Sequence, residues 1–490
     1  MSITSEIQRI IGGKSSLKTG LNAILPTGHK ITDSETIDEY SSHLQHIQTG
    51  SGGGETSTID VTINGSSAII CAELPNTKLK LYNSAETLLD TKITDATKGG
   101  VVTFSVSANG TYTIKAFSSD DTELWTNTIT ISEVGTYNVK TGKALNDYTW
   151  AEINTASTQG YARFMWSLGD YKTLEQTGSI LNNYQFIIIG FRHDVLASDG
   201  TTKAGITFKM KKYYTGSSYS INPKIYLNGS STYRNTGGLR SSLMRQRFQA
   251  QGEECYSQAS SITAELLASG LIYADGTNCP LYSYDEETDT YSVATSETFN
   301  TSKVYHIKGC YKSIGQIEEA DFVVGKHLTY SSNGYEIPSA WVSGTTYYCI
   351  YPTLQEDGAF YNALSSIIQY IKPVKKTQTC GNAKTNLCTT VEKVWMLAVE
   401  EIHGVNRTST LDSGNMATSA NAYNGAGEGQ IYQYFKENYN LGKIALGNTW
   451  WTRSPYTNYS SYWSDVSNGG NINNSSVDGT NYVCPCFCIK

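Results

Sequence analysis

The residues that could do chemistry in this chain are its histidines, its cysteines and its acidic pairs. None of the seven histidines has the His-Glu-x-x-His spacing that puts two ring nitrogens on one helix face for zinc. His43 and His46 lie three residues apart on a predicted helix, where a solvated face explains them. Gly13-Lys14-Ser15 ends like a phosphate loop, but Gln8 stands where that loop needs its first glycine. Neither a nucleophile elbow nor a dinucleotide fingerprint is present.

Three cysteines alternate near the end of the sequence. Cys484, Cys486 and Cys488 on one strand would direct their thiols to one face. They lack the paired Cys-x-x-Cys loops of zinc sites, so core packing is the favoured interpretation. Glu400-Glu401 and residues 285–287 are acidic clusters whose spacing matches no calcium loop, and we expect solvated faces there. The residues therefore predict no enzyme, no catalytic residue, no metal site and no cofactor.

The composition indicates a folded protein that meets a surface. A length of 490 residues predicts two to four units. The net charge of −7 and the 17% of charged residues argue against nucleic-acid binding. Tyrosine is in excess, with 35 Tyr against 12 Phe, and Tyr, Ser, Gly and Asn are the residues that recognition surfaces use.

The sequence contains no apolar stretch of membrane-spanning length, and its first residues lack the basic and apolar regions of a signal peptide. We therefore expect synthesis in the cytoplasm and no membrane insertion. Scattered, reduced cysteines suit that compartment, although Cys380 and Cys388 could pair on oxidation.

The elements that would position a site begin with helices in residues 1–49. Apolar residues with 3-4 spacing from Ile7 to Ile24 predict the first helix, and a capping box at Thr36 and Glu39 predicts the second. Either an intrachain hairpin or a docking and homo-oligomerisation region fits this pattern. The glycine-rich residues 50–55 predict a flexible linker.

Residues 56–136 predict an all-β immunoglobulin-like sandwich that acts as a spacer. Alternating strands are predicted at 57–63, 68–72, 78–82, 101–107, 111–116 and 125–131. Asn64-Gly65 and Asn109-Gly110 have the composition of hairpin turns. Short strands with such turns are typical of that fold.

Residues 137–490 mix helical and strand patterns, which predicts an α+β domain. Helices are predicted near 148–156, 239–250, 259–269, 360–371 and 430–439, and strands at 184–192, 205–210, 393–398 and 482–489. A Tyr-rich stretch at about 252–352 predicts a β-rich insertion. The whole chain is thus predicted to be multidomain.

Residues 456–482, called the tract below, have a narrow alphabet. Their 27 residues include six Asn, six Ser, four Tyr and two Asp, with no Lys, Arg or Glu. A polar loop region would explain this composition. Adenine-directed mutation of AAC or AAT codons would also leave Asn, Tyr, Ser and Asp, and it never makes a stop codon. Trp463, Gly469 and Gly470 lie outside that codon set and would stay fixed.

The residues around the tract resemble a known family. Trp450-Trp451-Thr452-Arg453-Ser454-Pro455 before it and Val483-Cys484-Pro485-Cys486-Phe487-Cys488-Ile489 after it resemble the end of the C-type-lectin-fold variable proteins of diversity-generating retroelements. Pieces at 166–170, 188–194, 237–242, 371–376 and 393–398 agree, so that the resemblance covers roughly residues 148–490.

The resemblance implies a rigid C-type-lectin-like scaffold that displays exchangeable side chains. The expected frame residues are Trp450, Trp451, Pro455, Trp463, Val466, Ile472, Val477 and Phe487. The expected ligand-binding residues are Tyr456, Asn458, Tyr459, Ser461, Tyr462, Ser464, Asp465, Asn468, Asn471, Asn473, Asn474, Ser475, Asp478, Asn481 and Tyr482. Tyrosines would serve as rigid anchors, and the smaller polar residues as adaptable hydrogen-bonding groups.

The leading hypothesis is a phage tail receptor-binding protein, located in the virion, that attaches to a bacterial cell-surface protein or glycan. Its N-terminal helices would dock to other tail proteins, and a homo-oligomer such as a trimer would add avidity. A chromosomally encoded bacterial adhesion protein is the alternative, and neighbouring genes would decide between the two. A formylglycine-generating-type oxidase is least favoured, because no paired catalytic cysteines can be assigned.

Overall fold

The computed structural model describes residues 66–95, 99–221, 238–239, 242–250, 256–259, 272–274, 282–285, 290–293, 305–308, 318–324, 327–331, 334–349, 358–379, 387–404, 427–437, 439–456 and 462–490. The chain divides into two compact units, Met1–Thr58 and Ile59–Lys490, and all described residues lie in the second. The predicted helices of 1–49, the linker 50–55 and the strand 57–63 lie outside the described residues. Within the described ranges no helix is long and apolar enough to cross a membrane.

The first seven strands form a two-sheet β-sandwich. They are β1 Ser67–Ala72, β2 Lys78–Tyr82, β3 Leu88–Ile93, β4 Val101–Val106, β5 Gly110–Phe117, β6 Glu123–Ile131 and β7 Thr136–Val139. One sheet has the order β4-β1-β7 and the other β3-β2-β5-β6. Ile69 and Phe104 from the first sheet share one core with Leu79 and Ile114 from the second. The strands predicted at 68–72, 78–82, 101–107, 111–116 and 125–131 are confirmed, whereas β3 and β7 were not predicted.

The next elements belong to the C-terminal part of the chain. They are a 3-10 turn Leu145–Asp147, α1 Trp150–Thr158, α2 Ala162–Met165, β8 Tyr171–Thr173, β9 Gln185–Phe191, β10 Ile206–Met210, β11 Tyr219–Ser220 and α3 Leu243–Phe248. Helix α1 begins where it does because Thr149 and Glu152 form a capping box, the hydroxyl of Thr149 accepting from the Glu152 N–H at 3.2 Å.

The described residues of the insertion are mainly strands. They form β12 Tyr256–Ala259, β13 Ile272–Ala274, β14 Tyr282–Asp285, β15 Thr290–Val293, β16 Tyr305–Lys308, a 3-10 turn Glu319–Asp321, β17 His327–Ser331, β18 Gly334–Glu336 and β19 Tyr347–Cys349. They pair in three small antiparallel sheets. Residues 260–269 of the predicted helix lie outside the described residues, and Ala259 ends a strand instead.

The last elements carry the tract. They are α4 Ala359–Asn362, β20 Val374–Thr379, β21 Leu387–Glu392, β22 Val394–Trp395, α5 Val399–His403, α6 Gln433–Lys436, α7 Leu441–Ile444, β23 Trp450–Pro455, β24 Tyr462–Val466, β25 Ile472–Ser476, β26 Thr480–Asn481 and β27 Cys486–Ile489. Helices predicted at 239–250, 360–371 and 430–439 are shorter than expected, because isolated turns follow them or irregular backbone precedes them.

A five-stranded sheet of order β22-β27-β10-β9-β8 holds the main core of this part, and the tract lies in a separate sheet of order β23-β24-β25. Strand β27 lies between β22 and β10, so the end of the chain is buried in the sheet. Both sheets contribute side chains to one hydrophobic core, including Phe208, Phe487, Trp450 and Trp463. The described molecule is therefore multidomain and mostly β.

The sandwich is joined to the C-terminal part through Glu73, which directly follows β1. The buried Glu73 Oε2 accepts hydrogen bonds from Trp125 Nε1 at 2.7 Å, from Thr141 Oγ1 at 3.1 Å and from the Tyr148 hydroxyl at 2.7 Å. A carboxylate buried in this way is stabilised by its donors. Glu73 therefore couples the last sandwich strands to the segment that leads into α1.

Candidate ligand-binding surface

The tract occupies two strands and the connections around them. In β24 and β25 the register pairs Tyr462 with Ser476, Ser464 with Asn474 and Asp465 with Asn473. Strand β23 lies on the other side of β24 and pairs Trp451 with Asp465. Because neighbouring residues of a strand face opposite sides, each strand contributes to two different surfaces.

Most of the described tract residues reach solvent. Tyr462, Asn468, Asn473 and Asp478 are exposed, and five further residues are half-buried: Asn471, Asn474, Ser475, Asn481 and Tyr482. Asn458, Tyr459 and Ser461 lie outside the described residues. These exposed and half-buried residues, named here the display surface, come from β24, β25, β26 and the connections that follow these three strands.

Three predicted ligand-binding residues are buried, so the expectation that they point outward is wrong. Tyr456 is 8% exposed and packs with Val399 and Ile472 in a small apolar cluster. Ser464 is buried beside Trp463. The Thr452 hydroxyl donates to the Ser464 backbone carbonyl at 2.8 Å, and this bond holds β24 against β23. Asp465 is fully buried between β23 and β25.

Asp465 is the centre of a small polar cluster. Its Oδ2 accepts from the Ser475 hydroxyl at 2.5 Å and from Asn481 Nδ2 at 3.2 Å, and Asn481 Nδ2 also donates to the Ser475 hydroxyl at 3.2 Å. Its Oδ1 is buried without a hydrogen-bond partner. Burial raises the pKa of Asp465 to about 6, and the lowering by Ser475, Asn473 and Asn481 is smaller. The carboxylate is therefore mostly ionised at neutral pH, although its burial disfavours the charged form.

Two of the tract tyrosines are restrained by other rings. Tyr462 meets Tyr456 edge to face with the ring centroids 6.4 Å apart, and Tyr482 lies over Tyr213 at 4.3 Å. Aromatic contacts of this kind fix ring orientation and add stability. A half-buried or exposed ring held in this way loses little conformational entropy when it binds a ligand.

The predicted frame is confirmed. All eight predicted frame residues are buried: Trp450, Trp451, Pro455, Trp463, Val466, Ile472, Val477 and Phe487. Trp451 Nε1 donates to the Tyr219 carbonyl at 2.7 Å, and Trp463 Nε1 donates to the Thr452 carbonyl at 2.9 Å. The frame thus fixes β23 against both β24 and β11.

Gly470 is a second fixed point of the frame. Its φ is +88°, a left-handed conformation that favours glycine, and a Cβ there would lie 2.4 Å from the Leu441 carbonyl oxygen. Gly469 has no such need, because its added Cβ would meet only Asn471 Nδ2, at 3.7 Å. Of the two glycines expected to stay fixed, the structure requires one.

Buried charged side chains from β20, α5, β23 and two loops form a cluster, named here the ionic network. Arg453 Nη2 lies 2.9 Å from Glu401 Oε1 and donates to the Glu428 carbonyl at 2.5 Å. Lys376 Nζ lies 3.0 Å from the same Glu401 oxygen and also pairs with Asp194. Lys376, Asp194, Glu401, Glu428 and Arg453 are all at most 5% exposed.

Tyr432 and Glu400 complete the ionic network. The Tyr432 hydroxyl donates to Asp194 Oδ1 at 2.8 Å and accepts from Lys376 Nζ at 2.9 Å. Glu400 accepts from the N–H groups of Gly427, Glu428 and Gly429 at 2.7 to 3.2 Å. The expectation that Glu400-Glu401 forms a solvated face is therefore wrong: backbone donors and two cations compensate the burial of both carboxylates.

The pKa values of the ionic network follow from these pairs. Burial alone would raise the pKa of Asp194 and of Glu401, but Lys376 beside both and Arg453 beside Glu401 outweigh it and lower both pKa values. Burial would lower the pKa of Lys376, yet Asp194 and Glu401 raise it. The pKa of Glu428 is raised, chiefly by burial. The ion pairs therefore persist across neutral pH.

Sequence reasoning did not single out this network. Asp194, Lys376 and Arg453 each stand in one of the pieces at 188–194, 371–376 and 450–455 that carry the family resemblance, and that placement was the available signal.

The three C-terminal cysteines are free and fully buried. Burial raises the pKa of Cys484, Cys486 and Cys488. Cys488 Sγ lies 3.4 Å from Asp194 Oδ2, which adds to the effect. The prediction of core packing is confirmed, and no group of three or more potential metal ligands occurs among the described residues.

Comparison with known proteins gives one match. Residues 337–490 are similar to a domain family described as a domain of unknown function, DUF6273. No curated protein and no solved structure matches the chain. The matched range contains β22 and β27 of the five-stranded sheet but not β8, β9 or β10, and it contains Lys376, Glu401 and Arg453 but not Asp194. The folded sheet and the ionic network are therefore larger than the matched range.

Proposed function

We propose that the C-terminal part of this chain is a variable ligand-binding domain with a C-type-lectin-like fold, carried by an immunoglobulin-like spacer. The observation that carries the proposal is the division of the tract. Its Trp, Val and Ile positions are buried in the frame, while most of its described Asn, Ser, Asp and Tyr positions reach solvent. Such a surface can exchange its side chains while the core stays packed.

We further propose that the chain is a phage tail receptor-binding protein that attaches to a bacterial surface receptor. The resemblance of the tract to retroelement-diversified sequences supports a target that changes, as cell-surface receptors do. In this proposal residues 1–49 dock to the tail and bring several copies together, because weak sites gain avidity when presented jointly.

Oxidase chemistry at Cys484, Cys486 or Cys488 is disfavoured by the state of these three thiols. The thiolate is the reactive form, and the raised pKa values of Cys484, Cys486 and Cys488 keep these thiols protonated. Their burial also separates them from substrate.

Binding of the purified chain to host bacteria tests the proposal. Tyr462→Ala and Asn473→Ala should each reduce binding at least several-fold, because large aromatic and polar contacts dominate recognition surfaces. Tyr171→Ala is the matched control, since Tyr171 is 37% exposed and Tyr462 38%, and only Tyr462 lies in the tract. Equal binding by all three variants and the wild type would refute the display surface.

The nucleotide sequence provides an independent test of the diversification. We expect a near-copy of the last coding segment that differs only at adenines, beside a reverse transcriptase gene. Neighbouring tail genes would support the phage assignment, and a host operon would favour a chromosomal adhesion protein.

A further inference from the structure

Asp465 is an ionisable group that the frame does not use. Its Oδ2 is satisfied by Ser475 and Asn481, but Oδ1 is buried and has no hydrogen-bond partner. The side chain of Asn473, which lies opposite Asp465 on β25, lowers the pKa of the carboxyl as Ser475 and Asn481 do, but less than burial raises it. No described Lys, Arg or His forms an ion pair with Asp465, and no charged group contributes to the shift of its pKa. Asp465 differs in this respect from the ionic network, where each carboxylate has a cationic or backbone donor.

The tract supplies no cation of its own. It contains no Lys and no Arg, so a change of conformation within the tract cannot bring a cationic side chain of the tract to Asp465. A buried carboxylate without a cation costs stability, and unfavourable groups of this kind concentrate at functional sites. A partner that brings a positive charge would remove the cost and gain a charge-assisted hydrogen bond.

We propose that the display surface binds a protein receptor through a Lys or Arg side chain whose cationic group pairs with Asp465 Oδ1. This assignment rests on the proposed function and names the chemistry of its partner. Asp465 is then a specificity-determining residue of the tract, because substitution at this position changes the charge that the surface accepts.

The position of Asp465 fits a long cationic side chain. Asp465 lies directly opposite the exposed Asn473 in the β24–β25 pair, and Ser475 and Asn481 are half-buried beside it. The buried carboxylate therefore has side chains of the display surface as its immediate neighbours. Lys and Arg combine a terminal charge with an unbranched apolar stem, so they reach such a depth once the Asn473 side chain moves aside. The free oxygen can accept one N–H from either group.

Binding of small amides to the full chain tests the assignment. The charged probes are Nα-acetyl-arginine amide and Nα-acetyl-lysine amide, and their neutral counterparts are Nα-acetyl-citrulline amide and Nα,Nε-diacetyl-lysine amide. Binding is read from the broadening of the probe's own ¹H resonances on addition of chain, which the wild type and every variant can report. In the wild type, the Asp465 carboxyl resonance of chain labelled with [γ-¹³C]aspartate, assigned by its loss in Asp465→Asn, shows whether the carboxylate takes part. EDTA in all samples excludes divalent cations.

We expect a charged probe to bind the wild type and its neutral counterpart not to bind. Binding at pH 7.5 should be about tenfold tighter than at pH 5.0, because a carboxyl with a pKa of about 6 is mostly protonated at the lower pH. Asp465→Asn should abolish binding, and Asp478→Asn, which neutralises an exposed carboxylate of the same tract, should leave it unchanged.

Equal affinity of the wild type for charged and neutral probes, or tighter binding at pH 5.0, would overturn the assignment. Neither comparison depends on the folding of a variant. Those results would concern only Asp465, since the display surface itself is tested separately by the binding of Tyr462→Ala to cells.

Discussion

Two sets of polar residues in the C-terminal part of the chain, the ionic network and the display surface, differ in almost every physical respect. The ionic network is buried and each of its carboxylates has cationic or backbone donors within hydrogen-bonding distance. The display surface is exposed or half-buried, and its described hydrogen bonds are few and local. The difference teaches that polarity alone does not mark a variable position: the partners of a side chain decide whether it can be exchanged.

The ionic network should give the largest loss of stability. Lys376→Met removes the cation between Asp194 and Glu401, and breaking a buried pair from one side typically costs about 3–5 kcal/mol. The control is Lys375→Met, because Lys375 is the exposed neighbour on the same strand and should change the free energy of unfolding by less than about 0.5 kcal/mol. Urea unfolding measures both. Equally small losses of unfolding free energy in Lys376→Met and Lys375→Met would show that the ionic network does not stabilise the fold as proposed.

The turn that follows β24 should give the next effect. Gly470→Ala forces a side chain into a left-handed conformation and against the Leu441 carbonyl, which should cost about 1–3 kcal/mol or more. Gly469→Ala, one residue earlier, should be close to neutral. Thermal unfolding of the two variants checks this, and equal melting temperatures would contradict the role of Gly470 as a fixed point.

Asp465 belongs to the tract but is buried like the ionic network. It therefore tests what burial costs a carboxylate that has no cationic partner. Its pKa is raised in the folded state, so the folded protein binds the proton more tightly than the unfolded chain, and stability falls as pH rises from about 4 to about 6. Relative to Asp465→Asn, the wild type should lose about 2 kcal/mol between pH 4.5 and pH 7.5. Urea unfolding at the two pH values measures this, with Asp478→Asn as the control. A difference that does not change with pH would show that the burial of Asp465 carries no such cost.

The display surface should give the smallest loss of stability. Tyr462→Ala removes an exposed ring whose described ring contact is with Tyr456, so the free energy of unfolding should fall by at most about 1 kcal/mol. Thermal unfolding beside Tyr171→Ala measures the change. A loss comparable to that of Lys376→Met would mean that Tyr462 belongs to the frame.

Much of the fold could be predicted from the sequence where a single pattern dominates. Strand β2 reads Lys-Leu-Lys-Leu-Tyr, and its alternation gave both its bounds and its buried face. Strand β3 could not be found in this way, because it is almost wholly exposed at the edge of its sheet and has no alternating pattern. The apolar spacing near 360 and 430 predicts longer helices than the structure has, because spacing alone does not reveal where turns replace regular helix.

The site was predictable in its frame and less so in its polar residues. Large apolar residues such as Trp450 and Val477 are buried for reasons visible in their type. Asp465 and Ser464 share their type with exposed tract residues, and only strand pairing reveals that they are covered. Glu401 was placed in solvent because its cations, Lys376 and Arg453, are brought to it by strands distant in sequence.

The central claim is that the display surface can be exchanged while the ionic network cannot, and two matched libraries test it most directly. One randomises Tyr462, Asn468, Asn473 and Asp478, and the other randomises Asp194, Lys376, Glu401 and Arg453. Protease resistance of the purified variants reports the folded fraction of each library. We expect most members of the first library to stay folded and most members of the second to unfold. Similar folded fractions in the two libraries would contradict it.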